Sequence, residues 1–347
     1  MRRVRWGLLG TGGISRMTIG DLQQTENLDL VAVASRTAAN AEAFASTHAI
    51  PRAYGGYDDL LADDQVEVVY IGTPISTHAE LARRALLAGK HVLVEKAFTT
   101  TADAARSLAA LAAAQGRFLM EAMWMRFNPA FCQMLADVAD GAIGDVRLVQ
   151  AGFGIPFPQS FNQWRPELGG GALLDMGIYP LTLAHIVLGT PQSVQAIGEM
   201  RDDGLDITAS VFLRYPNSQF AQATTSLAGF VNPAASVGGS SGYIAFDRHF
   251  MATGTYRIET PPTGTPRTVS VPLEGAGYVP MFRAVSDAVS QGLREHPLRP
   301  LADTIAVLDT MDEVRRQLLR QENLETSLPG AHPARPTALP PPTTTHR

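Results

Sequence analysis

Val4-Arg5-Trp6-Gly7-Leu8-Leu9-Gly10-Thr11-Gly12-Gly13-Ile14-Ser15 joins a short apolar run to a glycine-rich turn and the first residues of a helical pattern. Glycines at 10 and 12, with Ser15 at the third position of the motif, let the backbone turn tightly and come close to a pyrophosphate. The anion then meets a helix N-terminus, where free N–H groups and the dipole favour negative charge. Such a match has force only in its context, and here the context is strand, turn and helix.

Working outward, apolar runs recur at 28–34, 66–71 and 91–94, and helical patterns occupy 17–24, 40–47, 77–87 and 102–114. Strands alternating with helices predict a parallel, doubly wound sheet. In the alanine-rich last helix Ala104, Leu108 and Leu111 share a face that suits close packing on that sheet. From about Val146 strands follow strands, at 146–154, 194–200, 207–215 and 219–227, then 242–250, 255–259 and 268–273. Pro216-Asn217 reads as a hairpin turn, and the succession predicts a mainly antiparallel sheet. A helix over 173–188 covers one face, and helices over 280–291 and 302–321 close the fold. The expected division is a Rossmann dinucleotide-binding domain over 1–124 and a substrate-binding and oligomerisation α/β domain over 125–327. A Pro/Thr-rich tail, expected to be disordered, takes 328–347.

The chain has 347 residues, 45% hydrophobic and 18% charged, a length for two packed domains and an ordinary globular composition. With 28 basic and 33 acidic residues the net charge is -5, which argues against a nucleic-acid partner. Cys132 is the only cysteine, so an internal disulfide and a tetrathiolate zinc site are excluded and a reducing compartment fits. Arg2, Arg3 and Arg5 precede an apolar segment that Gly10 soon breaks, and no run reaches the ~20 apolar residues of a membrane span, so a cytoplasmic protein without a membrane partner is expected. Neither metal-ligand spacing nor a GxSxG elbow occurs.

At the end of the second strand the sequence is Ala34-Ser35-Arg36-Thr37, without the carboxylate that binds a ribose 2′-hydroxyl. A hydroxyl followed by a guanidinium suits a 2′-phosphate, which favours NADP with NAD possible; a solvated loop arginine is the other reading.

Further segments are Gly72-Thr73-Pro74 with His78, Glu95-Lys96-Ala97, Glu121-Ala122-Met123-Trp124-Met125-Arg126-Phe127-Asn128-Pro129, and Gly169-Gly170-Gly171-Ala172-Leu173-Leu174-Asp175-Met176-Gly177-Ile178-Tyr179-Pro180. With the N-terminal fingerprint they resemble the Gfo/Idh/MocA family of NAD(P)-dependent oxidoreductases, and within it the branch of dimeric dihydrodiol dehydrogenase and NADP-dependent D-xylose dehydrogenase. The resemblance implies the same two domains, with an open antiparallel sheet often used to form a homodimer or homotetramer. It also implies catalytic roles for Lys96, where Ala97 replaces the motif's proline, and for Tyr179 as proton donor and acceptor. An ammonium at Lys96 would lower the Tyr179 pKa from its usual ~10 toward neutrality.

By the same resemblance Gly10, Thr11, Gly12, Gly13, Ile14, Ser15, Ser35, Arg36, Thr73, Pro74, His78, Glu95, Lys96 and Trp124 belong to the cofactor site. Asp175 lines the substrate site or caps a helix. Arg126, Trp164 and Arg165 either line that site or pack between domains, and Glu95 bonds the cofactor or forms an ion pair. His185, six residues after Tyr179, lies well round the helix from it.

Three functions follow. The first is an NADP-dependent dehydrogenase or reductase of a sugar, polyol or cyclic diol. The second is a biosynthetic reductase of a keto-sugar carried on a nucleotide, which needs second-domain cations such as Arg165, Arg201, Arg214, Arg248 or Arg257 at a diphosphate. The third is a catalytically silent NADP-binding regulator on the same fold.

Overall fold

The structure, a computed structural model, describes residues 2–262 and 264–326, so the tail expected at 328–347 lies outside the described residues. The chain begins with β1 (Val4–Leu9), α1 (Gly13–Gln24), β2 (Leu28–Ala34), α2 (Ala38–Thr47), β3 (Arg52–Tyr54), α3 (Tyr57–Leu61) and β4 (Val68–Ile71). It continues with α4 (His78–Leu87), β5 (His91–Glu95), α5 (Ala102–Gln115) and β6 (Leu119–Ala122). These six strands are all parallel in the order β3-β2-β1-β4-β5-β6, the doubly wound arrangement whose ligands sit at the carboxyl ends of the strands. Helices cover both faces, so Val68, Val69, Tyr70 and Ile71 of β4 are all buried and the strand reads as one apolar run.

Two of these strands, β3 and β6, were not visible in the sequence pattern. The first is three residues long at the sheet edge. The second, Leu-Met-Glu-Ala, is broken by Glu121, a carboxylate fully buried against Arg299.

The second part runs through α6 (Pro129–Ala139), β7 (Val146–Gly154), a π-helical turn (Leu173–Gly177), α7 (Ile178–Leu188), β8 (Ser193–Met200), β9 (Asp206–Arg214) and β10 (Phe220–Ser226). Then come β11 (Ala235–Gly239), β12 (Tyr243–Phe246), β13 (Thr255–Glu259), β14 (Arg267–Ser270), α8 (Val279–Ser290) and α9 (Leu301–Thr326). The sheet order is β14-β13-β12-β11-β7-β10-β9-β8, antiparallel except where β10 pairs with β7. The expected β9–β10 hairpin turns at Pro216–Ser218, with Asn217 at φ 60°.

Residues of the sheet alternate in burial. Val149, Val211, Leu213, Ala221 and Ala223 face inward, small where α7 and the π-turn press on them, while Leu148, Ile197, Phe212 and Phe220 are exposed on the other face. α7 is buried from Ile178 to His185; the stretch Pro166–Leu188 does reach the length and apolarity of a membrane span, against the expectation that no run would, but it lies mostly inside the fold as a core element.

α8 and α9 fold back on the first sheet. Trp6 Nε1 of β1 donates to Ser286 Oγ of α8 at 3.1 Å, and Ala102 N at the start of α5 donates to Asp312 Oδ2 of α9 at 2.8 Å. α9 also lies along β8, so one helix joins the two parts.

Candidate active site

A cavity of about 1380 Å³ runs along the carboxyl edge of the parallel sheet and on beneath the π-turn. Its first half is built mostly from backbone. Gly10 has φ 104°, and a Cβ there would come within 2.6 Å of the Gly72 carbonyl oxygen, so the turn admits only glycine. Gly12 and Gly13 have open space where a side chain would stand, at the N-terminus of α1. This is the cradle a dinucleotide pyrophosphate requires. Thr11, Ile14, Ser35, Arg36, Thr73 and Pro74 line the same half.

Ser15 instead turns inward and donates to the Gly10 carbonyl at 2.9 Å, so it braces the turn without reaching the cavity. His78 also stands behind the wall. Its two ring nitrogens lie 2.9 Å from the Ala97 carbonyl oxygen and 2.8 Å from that of Thr73, so the ring sits between two loops and, with one N–H in its neutral form, donates to one of the two carbonyls. Burial pushes its pKa down, opposed by those carbonyls.

In the second half, Lys96 leaves the end of β5 and its ammonium donates to the Asp175 carbonyl at 2.6 Å and to Asp175 Oδ1 at 3.1 Å. Burial disfavours the charge, but Asp175, Tyr179 and Glu95 outweigh it and hold the Lys96 pKa above the ordinary lysine value. Nζ stands 5.2 Å from the Tyr179 ring centre. The Tyr179 hydroxyl accepts a hydrogen bond from Trp124 Nε1 at 3.0 Å, and Trp124 stacks on Tyr278 at 4.6 Å between ring centres. The Lys96–Ala97 peptide bond is cis.

Glu95, at the carboxyl end of β5, accepts from the Tyr70 hydroxyl and from Lys96 N; burial raises its pKa to about 7, with those donors and the Lys96 charge pulling back. It lines the cavity with both oxygens already engaged by the protein.

Several expectations need correction. The Tyr179 pKa is raised, because burial and the nearby Glu95 and Asp175 carboxylates outweigh the Lys96 ammonium and the Trp124 hydrogen bond. Asp175 is no helix cap: Asp206 takes that place, accepting from Leu173 N at 2.6 Å, with its own pKa pushed up to about 6 by burial. Arg126 is outside the cavity wall, packed toward Cys132 and Arg299. Trp164 packs with Met176, Leu205 and Leu227 and donates to the Phe157 carbonyl at 2.8 Å, while Arg165 is exposed outside the cavity. Their neighbour Gln163 lines the cavity instead, donating to Asp175 Oδ2 at 3.2 Å.

Sequence reasoning also missed Phe153, Phe157, Phe161 and Tyr278, which give the second half an aromatic wall. They carried no motif, and only the fold gathers them. His185 turns away toward α9, 2.9 Å from Thr310 Oγ1, and burial lowers its pKa to about 4. Among the described residues no cluster of His, Cys, Asp or Glu is placed to hold a metal ion.

A parallel sheet with an anion cradle, joined to a buried lysine and tyrosine across the cavity, defines an oxidoreductase that uses a nicotinamide dinucleotide. Residues 4–123 match the oxidoreductase family with an NAD-binding Rossmann fold, and residues 131–245 match the GFO/IDH/MocA C-terminal domain. The chain belongs to the Gfo/Idh/MocA family.

Among its relatives, trans-1,2-dihydrobenzene-1,2-diol dehydrogenase of Sus scrofa is 34% identical over 328 residues, 91% of this chain and 97% of that protein. The enzyme of the same name from Xenopus laevis is 33% identical, covering 90% and 98%. A 3-ketoreductase from Actinomadura kijaniata, solved with NADP and TDP-benzene, superposes with a TM-score of 0.81 at 30% identity, covering 91% of this chain and 98% of its own. An aldose-aldose oxidoreductase from Caulobacter crescentus shares the fold, with a TM-score of 0.84 at 24% identity over 92% and 98% of the two chains.

Proposed function

We propose that the protein is an NADP-dependent dehydrogenase or reductase of an uncharged cyclic diol, polyol or aldose, with Lys96 and Tyr179 handling the hydroxyl proton. The observation that carries this reading is the convergence of Lys96, Asp175 and Tyr179 at the aromatic half of the cavity, next to the cofactor cradle. The cofactor, when bound, supplies the hydride chemistry at a substrate carbon. The chain supplies the proton. Trp124 occupies one lone pair of the Tyr179 oxygen, which leaves the phenol O–H free for a substrate oxygen and steadies the phenolate once the proton has gone. Lys96, held charged by Asp175, lowers the energy of that phenolate. Gln163 and Lys96 in turn orient the Asp175 carboxylate.

Two features favour an uncharged substrate over a nucleotide-linked one. Phe153, Phe157 and Phe161 offer apolar faces. None of Arg165, Arg201, Arg214, Arg248 and Arg257 lines the cavity among the described residues, and Arg201 and Arg257 are paired with Asp203 and with Asp247 and Glu259. Among the described lining residues only Arg16 and Arg36 carry guanidiniums, both beside the dinucleotide cradle, so a substrate diphosphate would find none in the aromatic half. At the other end Arg36 serves a 2′-phosphate, and the exposed Leu148, Ile197, Phe212 and Phe220 face serves self-association.

The test is fluorescence titration with NADPH and NADH, followed by nicotinamide absorbance across aldoses, inositols, trans-dihydrodiols, dicarbonyls and nucleotide-linked keto-sugars. Tighter NADPH binding with turnover of an uncharged ring substrate is expected. Turnover confined to nucleotide-linked sugars would overturn the substrate class, and binding without any turnover would leave the regulator reading.

A further inference from the structure

The position of the Lys96 ammonium depends on backbone that follows it, since Ala97 offers no side chain beyond a methyl group. One peptide unit in that segment is gripped at both ends. Its carbonyl, from Ala97, faces His78 Nδ1 at 2.9 Å, and its N–H, from Phe98, donates to Glu121 Oε1 at 3.1 Å. The other carboxylate oxygen of Glu121 accepts from Arg299 Nε at 3.1 Å and from Thr304 Oγ1 at 3.2 Å. Glu121 and Arg299 are buried to within 1% of completely, at the meeting of β6 with the start of α9.

A buried ion pair of this kind contributes little net stability, because desolvation offsets the attraction. What it provides is orientation. A planar peptide held by both its oxygen and its N–H cannot rotate without breaking one of the two bonds. Glu121 is itself anchored by Arg299, and His78, a neutral imidazole with a single N–H, holds the Ala97 carbonyl in its Nδ1–H tautomer.

We propose that Glu121, anchored by Arg299, is a positioning residue for Lys96: with His78 it fixes the Ala97–Phe98 peptide plane, and through that plane the place of the Lys96 ammonium against Asp175 and Tyr179. Glu121 touches neither the cavity nor the reacting groups, and it acts only through the loop. This inference rests on the reading of Lys96 as a proton-transfer group.

Glu121→Gln preserves shape and one acceptor while removing the charge that holds Arg299. With the substrate that turns over in the panel, kcat is expected to fall about 30-fold, on the scale of a misplacement near 1 Å, with the NADPH Kd and substrate KM within about threefold of wild type. In a Lys96→Met background the same change should cost less than about twofold, because the residue it positions is gone. A kcat within twofold of wild type, or an equal loss in both backgrounds, overturns the proposal. An unaffected Lys96→Met enzyme overturns instead the reading beneath it.

Should Glu121→Gln not fold, Thr304→Val removes one hydrogen bond to the same carboxylate, and a smaller kcat loss with the same split is expected. A readout without substrate is also at hand, because Lys90 and Lys96 are the two lysines of the chain. In 15N-lysine protein the Lys96 amide signal should broaden or double in Glu121→Gln while that of Lys90 stays put; two unchanged signals in the folded variant overturn the clamp.

Discussion

The two halves of the cavity are built on different principles. The nucleotide half is made of short contiguous segments at the ends of β1, β2 and β4, and its recognition surface is largely backbone held by Gly10, Gly12 and Gly13. The substrate half is made of side chains from distant segments, with Lys96, Trp124, Phe153 and Tyr278 each arriving on a different part of the fold and Asp175 and Tyr179 together on the helical stretch that begins at the π-turn. Anion binding by free N–H groups needs only a local turn and a helix start, whereas proton transfer needs particular atoms at particular distances. Variation should therefore separate the two halves: changes in one should alter nucleotide affinity, and changes in the other should alter turnover.

The largest effect should come from the substrate half. Lys96→Met is expected to lower kcat by about 10²–10⁴-fold, the range for loss of a proton-transfer group, with NADPH affinity nearly unchanged by fluorescence titration. A parallel loss of NADPH affinity would break the separation. In the nucleotide half, Gly10→Ala forces a methyl group toward the Gly72 carbonyl at a φ that disfavours it, a strain of about 1–3 kcal/mol. NADPH affinity should drop by more than about tenfold, while turnover at saturating nucleotide changes much less. Removing one charge-assisted contact in Arg36→Ala should weaken NADPH by about tenfold and leave NADH alone. Equal weakening of both nucleotides would remove Arg36 from the 2′-phosphate.

The subtlest expectation concerns pH. Because burial and neighbouring carboxylates raise the Tyr179 pKa, the residue is a phenol at neutral pH. Reduction, which needs the phenol, should be nearly flat through neutrality. Oxidation, which needs the phenolate, should keep rising into the alkaline range. Glu95→Gln removes one of the charges that disfavours the phenolate, so the alkaline rise should move to lower pH. A shift in the other direction, read from kcat against pH, would show that Glu95 acts on Tyr179 by some route other than its charge.

Legibility follows the same division. The glycine turn at Gly10 and the alternation of apolar runs with helices were sufficient for the parallel sheet, because local propensity and two-sided burial leave a pattern in consecutive residues. The edge strands β3 and β6 left none: β3 is too short for a period, and Glu121 interrupts β6 as though the strand were solvated. Lys96, Asp175 and Tyr179 were legible only through their resemblance to a family motif. Arg126, in the Glu121–Pro129 segment, and Trp164 and Arg165, assigned by the same resemblance, lie outside the cavity.

By itself, then, the sequence determined the class of fold, the cradle at the N-terminus of α1 and the alternation of the longer strands and helices, since each depends on neighbours in the chain. Tertiary structure alone decided which side chains face the cavity, that Asp206 caps the helical stretch carrying Asp175, and that Tyr179 has its pKa raised. Those outcomes depend on burial and on charges brought together from separate segments, and neither quantity is a property of any short stretch of chain.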